Sequence, residues 1–215
     1  MNLPKVIHRI IGRKQSPLVK ACLVSWNKLK RKEYSIVTWT DELIEVFLRT
    51  HYPTILIPFL DARNHAEAAD IARYAIVYHY GGHYLDWDVE LSDEKKFLEL
   101  CERCPTGYLL QDPKNLTLSS EAFSALPQEP YLWSLLQSIT ELHSAAEHLS
   151  MKTPQYTGPY RMREVYESSA YKSMQKIVPI KEAFLYDYDE IRQMKNLAYT
   201  TPMIHYWVHS WIFDE

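Results

Sequence analysis

Two aspartates one residue apart, Asp86-Trp87-Asp88, follow directly on the short apolar segment His83-Tyr84-Leu85. Along an extended chain residues i and i+2 face the same way, so the spacing predicts two carboxylates side by side at a strand end. Like charges that close repel unless a cation or a proton lies between them. A divalent metal is the economical answer, and oxygen ligands suit Mg2+ or Mn2+. Upstream, Asp70, Arg73 and Tyr74 stand at i, i+3 and i+4 in a largely apolar run beginning at His65, so they share one face of a helix. On their own Asp70 and Arg73 would be only a helix ion pair, worth a few tenths of a kcal/mol. Gly81-Gly82 joins the two halves, ending the helix and allowing positive φ. A bare D-x-D is a weak signal. The chain carries a second copy, Asp187-Tyr188-Asp189, whose polar, turn-like setting (YDYDEIRQ) reads as solvated surface.

The elements that must position these groups follow from patterning. Lys5–Ile11 is a β-branched run that suits a buried first strand, with Gly12 and a polar loop after it. Ser16 caps a helix that starts at Pro17 and continues through Leu29. Tyr34–Trp39 reads as the second strand, and Thr40 or Asp41 caps a helix to about Thr50. Thr54–Leu60 is apolar but interrupted by Pro58, which predicts an edge strand or a buried loop. Beyond Asp88, patterning predicts a helix over Asp93–Cys104, a strand over Gly107–Gln111 and an amphipathic helix over Pro130–His143. A Thr157-Gly158-Pro159 turn leads into a helix near Tyr160–Glu167, and Lys176–Ile180 and Ala183–Tyr186 read as short strands. Strand–helix alternation over the first ninety residues argues for an α/β fold with a mostly parallel central sheet flanked by helices. Ligands of such sheets bind beyond the C-terminal strand ends, where the loop after His8 would meet Asp86 and Asp88.

Composition narrows the class. At 215 residues the chain is most simply one domain, 1–215, with a sizeable core. A net charge of −3 gives no reason to expect a nucleic-acid partner. No apolar run approaches the length of a transmembrane helix and no secretory leader is evident. Three cysteines suit a reducing cytoplasm, and Cys101-x-x-Cys104 lacks a second pair or His at zinc-ligand spacing. Sixteen Tyr and six Trp could line a sugar-binding cleft or simply build a core; Trp26 and Trp39 read as core.

Taken in order, several blocks resemble the DXD-motif sugar transferases of glycosyltransferase family 32, which include capsular-polysaccharide and fungal mannosyl-type enzymes. More distantly they are similar to the catalytic domains of clostridial glucosylating toxins. The blocks are Leu3-Pro4-Lys5-Val6-Ile7-His8, Ser25-Trp26, Tyr34-Ser35-Ile36 with Trp39, Ala69-Asp70-Ile71-Ala72-Arg73-Tyr74, Gly81–Asp88, Thr157-Gly158-Pro159, and His205 with Ser210-Trp211. The resemblance implies a GT-A-like fold and a retaining, metal-dependent hexosyltransferase that uses a nucleotide-sugar donor. Its acceptor would be a glycan or a lipid-linked saccharide, as in bacterial surface polysaccharide synthesis. It implies Asp70, Arg73 and Asp88 as catalytic groups, and Asp86, Asp88 and His205 around Mn2+ or Mg2+. Donor contacts would come from His8, Asp70, Arg73, Tyr84, Asp86, Ser210 and Trp211, with His8 bordering the base and Ser210-Trp211 closing over the donor. A cytoplasmic enzyme, peripheral at the inner face of a membrane if its acceptor is lipid-borne, is the matching location.

One position departs from the pattern. The family carries Trp at the end of a His-x-Ile-Trp run, where it can stack on the base, and Ile11 stands there in this chain. Stacking on this strand, and the choice of uridine or guanosine, are left open. Two rivals remain: a non-catalytic nucleotide-sugar or glycan-binding relative, and a phosphatase of the haloacid-dehalogenase type. The latter normally has Thr or Val four residues after its first Asp, where this chain has Glu90. No carboxylate stands out as a nucleophile, which favours front-face attack by the acceptor. Asn115–Gln128 and Ser144–Tyr156 are read as the loops that build the acceptor pocket.

Overall fold

The computed structural model describes residues 2–168, 173–193, 198 and 200–208. In chain order the strands are β1 (Val6–Ile10), β2 (Ser35–Trp39), β3 (Gly82–Leu85), β4 (Val89–Leu91), β5 (Gly107–Gln111), β6 (Leu118–Ala125), β7 (Lys176–Pro179) and β8 (Met203–His205). The helices are α1 (Pro17–Ser25), α2 (Asp41–His51), α3 (Pro53–Leu60), α4 (His65–Tyr80), α5 (Glu94–Arg103), α6 (Pro130–Ser144), α7 (Thr153–Tyr156), α8 (Pro159–Ser168), α9 (Ile180–Ala183) and α10 (Tyr188–Arg192). A 3-10 helix, Trp26–Lys32, continues α1.

Six strands form one sheet in the order β2-β1-β3-β6-β5-β7, and β6 alone runs against the others. Both faces are covered, as a mostly parallel sheet requires. Alternation along the strands sorts side chains between two cores: Tyr84 and Leu109 pack with α2, α3, α4 and α6 on one face, Ile7, Leu85 and Leu110 with Trp26, Leu29 and Phe97 on the other. This is an α/β fold with a mostly parallel central sheet flanked by helices, as expected. A separate ribbon pairs β4 with β8 antiparallel, Val89 opposite His205, and so brings the end of the described chain back onto the residues that follow β3.

Local chemistry sets the element that matters most. The Asn64 side chain accepts from the Glu67 N–H to start α4, and Ile71 through Val77 are buried on all sides. Such a helix belongs inside the molecule rather than on its surface. Gly81 (φ 65°) and Gly82 (φ 94°) then turn the chain into β3. A Cβ on Gly82 would come within 2.6 Å of the Val6 carbonyl oxygen, so the close approach of β3 to β1 needs glycine there.

Four sequence expectations are corrected. Thr54–Leu60 belongs to helix α3: Pro53 occupies its first turn, where no N–H is needed, and Pro58 forfeits one bond in a helix whose Ile55, Leu56 and Phe59 are buried. Leu118–Ala125, assigned to an acceptor loop, is the buried antiparallel strand β6. Its serines carry weak strand propensity, but position between two strands overrides it. Ala183–Tyr186 is not a strand; α9 ends at Ala183, and only Phe184 makes a bridge, to Met203. Asp86–Asp88 is not extended chain but the turn joining β3 to β4, with the Val89 N–H bonded to the Asp86 carbonyl at 3.1 Å.

Candidate active site

The turn achieves by curvature what the sequence attributed to strand alternation. The Asp86 N–H is tied to the Glu121 carbonyl of β6 at 2.8 Å, fixing where β3 stops. Asp88 is then enclosed by the returning tail: its Oδ2 accepts from the Val208 N–H at 2.8 Å, and its Oδ1 lies 3.4 Å from His205 Nε2. Ligand atoms of Asp86, Asp88 and His205 lie within 4.8 Å of one another. His205 Nδ1 is buried and has no hydrogen-bond partner among the described residues. Two carboxylates and an imidazole, one ring nitrogen unsatisfied, fit a divalent cation of the Mn2+ or Mg2+ type.

The electrostatics agree. Burial, followed by the neighbouring charge of Asp88, pushes the Asp86 carboxyl up to about 6. Asp88 is buried too, yet His205 and the Val208 N–H hold its carboxyl below the usual range, and the same carboxylate raises the His205 imidazole against the effect of burial. Crowded carboxylates, one of them disfavoured in its charged form, are the electrostatic setting that a bound cation would relieve.

Beside it, α4 presents a fixed cation. Arg73 donates from Nη1 to the Ser120 carbonyl at 2.7 Å and from Nε to the Ala69 carbonyl at 3.1 Å. Its guanidinium lies 4.6 Å from the centre of the Tyr84 ring, 3.2 Å from Asp86 Oδ1 and 3.5 Å from Asp70 Oδ1. Tyr84 completes the link by donating its hydroxyl to Asp86 Oδ1 at 2.7 Å. Asp70 is held from the other side, where Thr157 Oγ1 donates to its Oδ2 at 2.9 Å and the Tyr74 hydroxyl donates to the Thr157 carbonyl at 2.8 Å. A Cβ on Gly158 would sit 3.3 Å from Asp70 Oδ2, so the Thr-Gly-Pro turn lies directly against that carboxylate.

These groups open into a cleft of about 290 Å3 and an adjoining pocket of about 120 Å3, with Ala66, Arg73, Asp86 and Trp87 common to both. The cleft holds Asp70, Asp88, Glu121 and His205; the pocket is more apolar, with Ile10, Gly12 and Ala69. The Trp87 indole lies against Gly12, where a Cβ would meet it at 3.1 Å. Two roomier surface clefts, about 740 and 590 Å3, lie elsewhere and contain none of the clustered Asp86, Asp88 and His205. Chemistry, not size, selects the site.

Asp70, Arg73, Tyr84, Asp86, Asp88 and His205 are thus brought together. His8 is not: it is buried in the sheet with both ring nitrogens engaged, Nδ1 by the Trp39 indole N–H at 3.2 Å and Nε2 by the Gly81 carbonyl at 3.1 Å. Burial lowers its pKa to about 4, and the neutral ring serves the core. Ser210 and Trp211 lie outside the described residues. Ser120 and Glu121 fall within Asn115–Gln128, expected to build the acceptor pocket as a loop, and reach the cleft from strand β6 instead; Trp87, Tyr188 and Trp207, given no role by the sequence, line it as well. The Trp207 ring packs against His205 with ring centres 4.2 Å apart and planes tilted by 35°. No local pattern announces these residues, because they are gathered from a turn, a sheet strand, the start of α10 and the segment after β8.

Comparison with known proteins bears out the resemblance read from the sequence. Residues 16–103 match the family described as "Glycosyltransferase sugar-binding region containing DXD motif". Inositol phosphoceramide mannosyltransferase 2 of Schizosaccharomyces pombe is 27% identical over 205 residues, 92% of this chain and 53% of the relative. Mannosyl phosphorylinositol ceramide synthase SUR1 of Saccharomyces cerevisiae is 28% identical over 148 residues, 64% of this chain and 35% of the relative. The chain spans about half or less of the length of these curated relatives. Among solved structures, the PaToxG glycosyltransferase superposes with a TM-score of 0.58 over 76% of this chain and 69% of that one, at 13% identity. The ligand-free glycosyltransferase domain of the YGT toxin gives 0.56 over 77% and 78%, at 9% identity. The fold is that of GT-A-like glycosyltransferase domains.

Proposed function

We propose that residues 1–215 form a single GT-A-type domain that transfers a hexose, with retention at the anomeric carbon, from a nucleotide-sugar donor to a lipid-linked acceptor. The observation that carries this reading is the convergence of Asp86, Asp88 and His205 beside an Arg73 guanidinium that five neighbours hold in place. Asp86, Asp88 and His205 would hold a divalent cation, which supplies charge neutralisation for a departing diphosphate. Arg73 has no freedom to reorient and so offers a preorganised positive charge to an anionic donor. Asp70, pinned by Thr157, faces the cleft as an acceptor for sugar or ribose hydroxyls. The more apolar pocket walled by Trp87 suits the flat base, and the cleft suits the sugar and the incoming hydroxyl. Trp207, packed against His205, would exclude water from that side.

The acceptor class rests on the names of the relatives, which describe transfer to inositol phosphoceramides. They favour the lipid-linked alternative over a bacterial surface polysaccharide. Front-face attack, with the leaving phosphate taking the acceptor proton, accounts for retention without a protein nucleophile.

The test is sugar transfer and donor hydrolysis across a panel of GDP- and UDP-sugars, with Mn2+, with Mg2+ and with chelator. Metal-dependent turnover of one donor is expected. Donor affinity without turnover under every condition would mark a binding module instead. Glu121→Gln should reduce the rate by less than about tenfold; a loss on the order of a thousandfold or more would replace front-face attack by a mechanism through that carboxylate.

A further inference from the structure

Charge is distributed very unevenly along this chain. Residues 13–32 contain seven of its 24 Lys and Arg and no Asp or Glu, a net of +7. The rest, with 17 basic against 27 acidic residues, carries −10. All seven cations are exposed on α1, on the 3-10 helix that continues it, or on the loop before them. The two arginines meet carboxylates from other segments, Arg13 with Glu42 at 3.4 Å and Arg31 with Glu94 at 3.3 Å. Lys14, Lys20, Lys28, Lys30 and Lys32 have no carboxylate within ion-pair distance among the described residues.

The same surface is amphipathic. In α1, Val19 and Cys22 pack inward, while Pro17, Lys20, Ala21 and Val24, at i, i+3, i+4 and i+7, form one exposed face. Val24 is 63% exposed and Leu18, at the edge of that face, 40%. In the 3-10 helix Trp26 and Leu29 are buried and every other residue faces solvent. Unpaired lysines interspersed with exposed aliphatic side chains match the requirements of an anionic bilayer surface: point charges for headgroup phosphates and short apolar groups for the interface.

We propose that the face formed by α1 and the 3-10 helix docks this domain on an anionic lipid surface, with the acidic remainder of the molecule turned away. The location gives docking a consequence. The loop that leads into α1 contains Gly12, which lines the smaller pocket against Trp87, so the basic face begins at the rim of the site. A nucleic acid is the other polyanion to consider. Single strands are held on exposed aromatic platforms, and the only aromatic residue in 13–32, Trp26, is buried with its indole N–H bonded to the Val89 carbonyl. The proposal rests on charge and exposure alone and stands whether or not the domain transfers a sugar.

The test is co-sedimentation of the full chain, without donor, with phosphatidylcholine vesicles and with vesicles in which about a third of the lipid is phosphatidylserine. Binding to the anionic vesicles that falls steeply with added salt is expected, and little binding to the neutral ones. Lys20→Glu/Lys28→Glu/Lys30→Glu should lower the anionic-vesicle partition coefficient by at least about tenfold. Val24→Ser should lower it several-fold while leaving the salt dependence unchanged, and provides the reading if the triple variant fails to fold. Equal binding to both vesicle types, no binding to either, or an unchanged partition in the variants would overturn the proposal. So would tight binding of a DNA duplex that releases the protein from the vesicles.

Discussion

The two D-x-D triplets of this chain share a spacing and have opposite environments. Asp86-Trp87-Asp88 stands at the end of a central strand, with one carboxylate against Arg73 and the other against His205. Asp187-Tyr188-Asp189 stands at the start of α10, where the Asp187 side chain accepts from the N–H groups of Asp189 and Glu190, its own N–H donates to the Glu190 carboxylate in return, and it pairs with Lys114 at 3.1 Å. The second triplet is a helix cap whose charges are met by backbone and solvent. In the first, Asp86 is driven upward in pKa by burial and by its twin, and the buried His205 Nδ1 has no partner among the described residues. The motif is therefore not the unit of function. What distinguishes the copies is whether the fold forces like charges together away from water.

The contrast breaks most sharply at Asp88. Asp88→Ala should cut turnover on the order of a thousandfold or more, whereas Asp187→Ala should leave it within about twofold; equal losses in steady-state assays would mean that both triplets, or neither, act on the donor. Next in size is Arg73→Leu, which strands Asp70 and Asp86 without their cation and should cost about 3 kcal/mol in urea unfolding. Arg73→Lys should recover part of that stability and little of the activity, because a lysine cannot reproduce the forked contacts to Ala69 and Ser120.

Asp187→Ala removes the cap of a short exposed helix and should cost about 0.5–1 kcal/mol, read as a lower urea midpoint with unchanged activity. Smallest is a pH effect at the first triplet. Because the folded-state pKa of Asp86 is raised to about 6, the folded protein holds that proton more tightly than the unfolded chain does, so stability without metal should decline as pH rises from about 4 through 6. Protons on Asp86 and His205 compete with a cation, so the increase in melting temperature caused by Mn2+ should grow as pH rises through about 6 and continue to grow above it, where His205 loses its proton. A metal-induced increase that does not vary with pH would remove Asp86 from the cation's ligands.

How far the site was readable in the sequence follows from which forces build it. The helix–Gly-Gly–strand block was legible because local signals agree: an apolar helical run, two glycines demanding positive φ, and a strand whose end carries the acids. The Thr157-Gly158-Pro159 turn was legible as a turn, but its grip on Asp70 was not, since 87 residues separate the partners. Strand β6 was read as part of an acceptor loop, Asn115–Gln128, because its Ser119, Ser120 and Ser124 suppress the propensity signal, so the segment that carries Glu121 was legible while its strand was not. His8 shows the reverse case: its ring serves the core through Trp39 and Gly81, and a histidine in an apolar strand looks the same for either role.

The most direct test of the central claim is thermal stability against a panel of nucleotide sugars, with Mn2+ and with chelator, for the wild type and Asp88→Ala. One donor should raise the melting temperature of the wild type when Mn2+ is present, and both the chelator and the substitution should abolish the rise. A rise that persists in chelator and in Asp88→Ala, or no rise with any donor, would contradict a metal-held donor at the Asp86-Trp87-Asp88 turn.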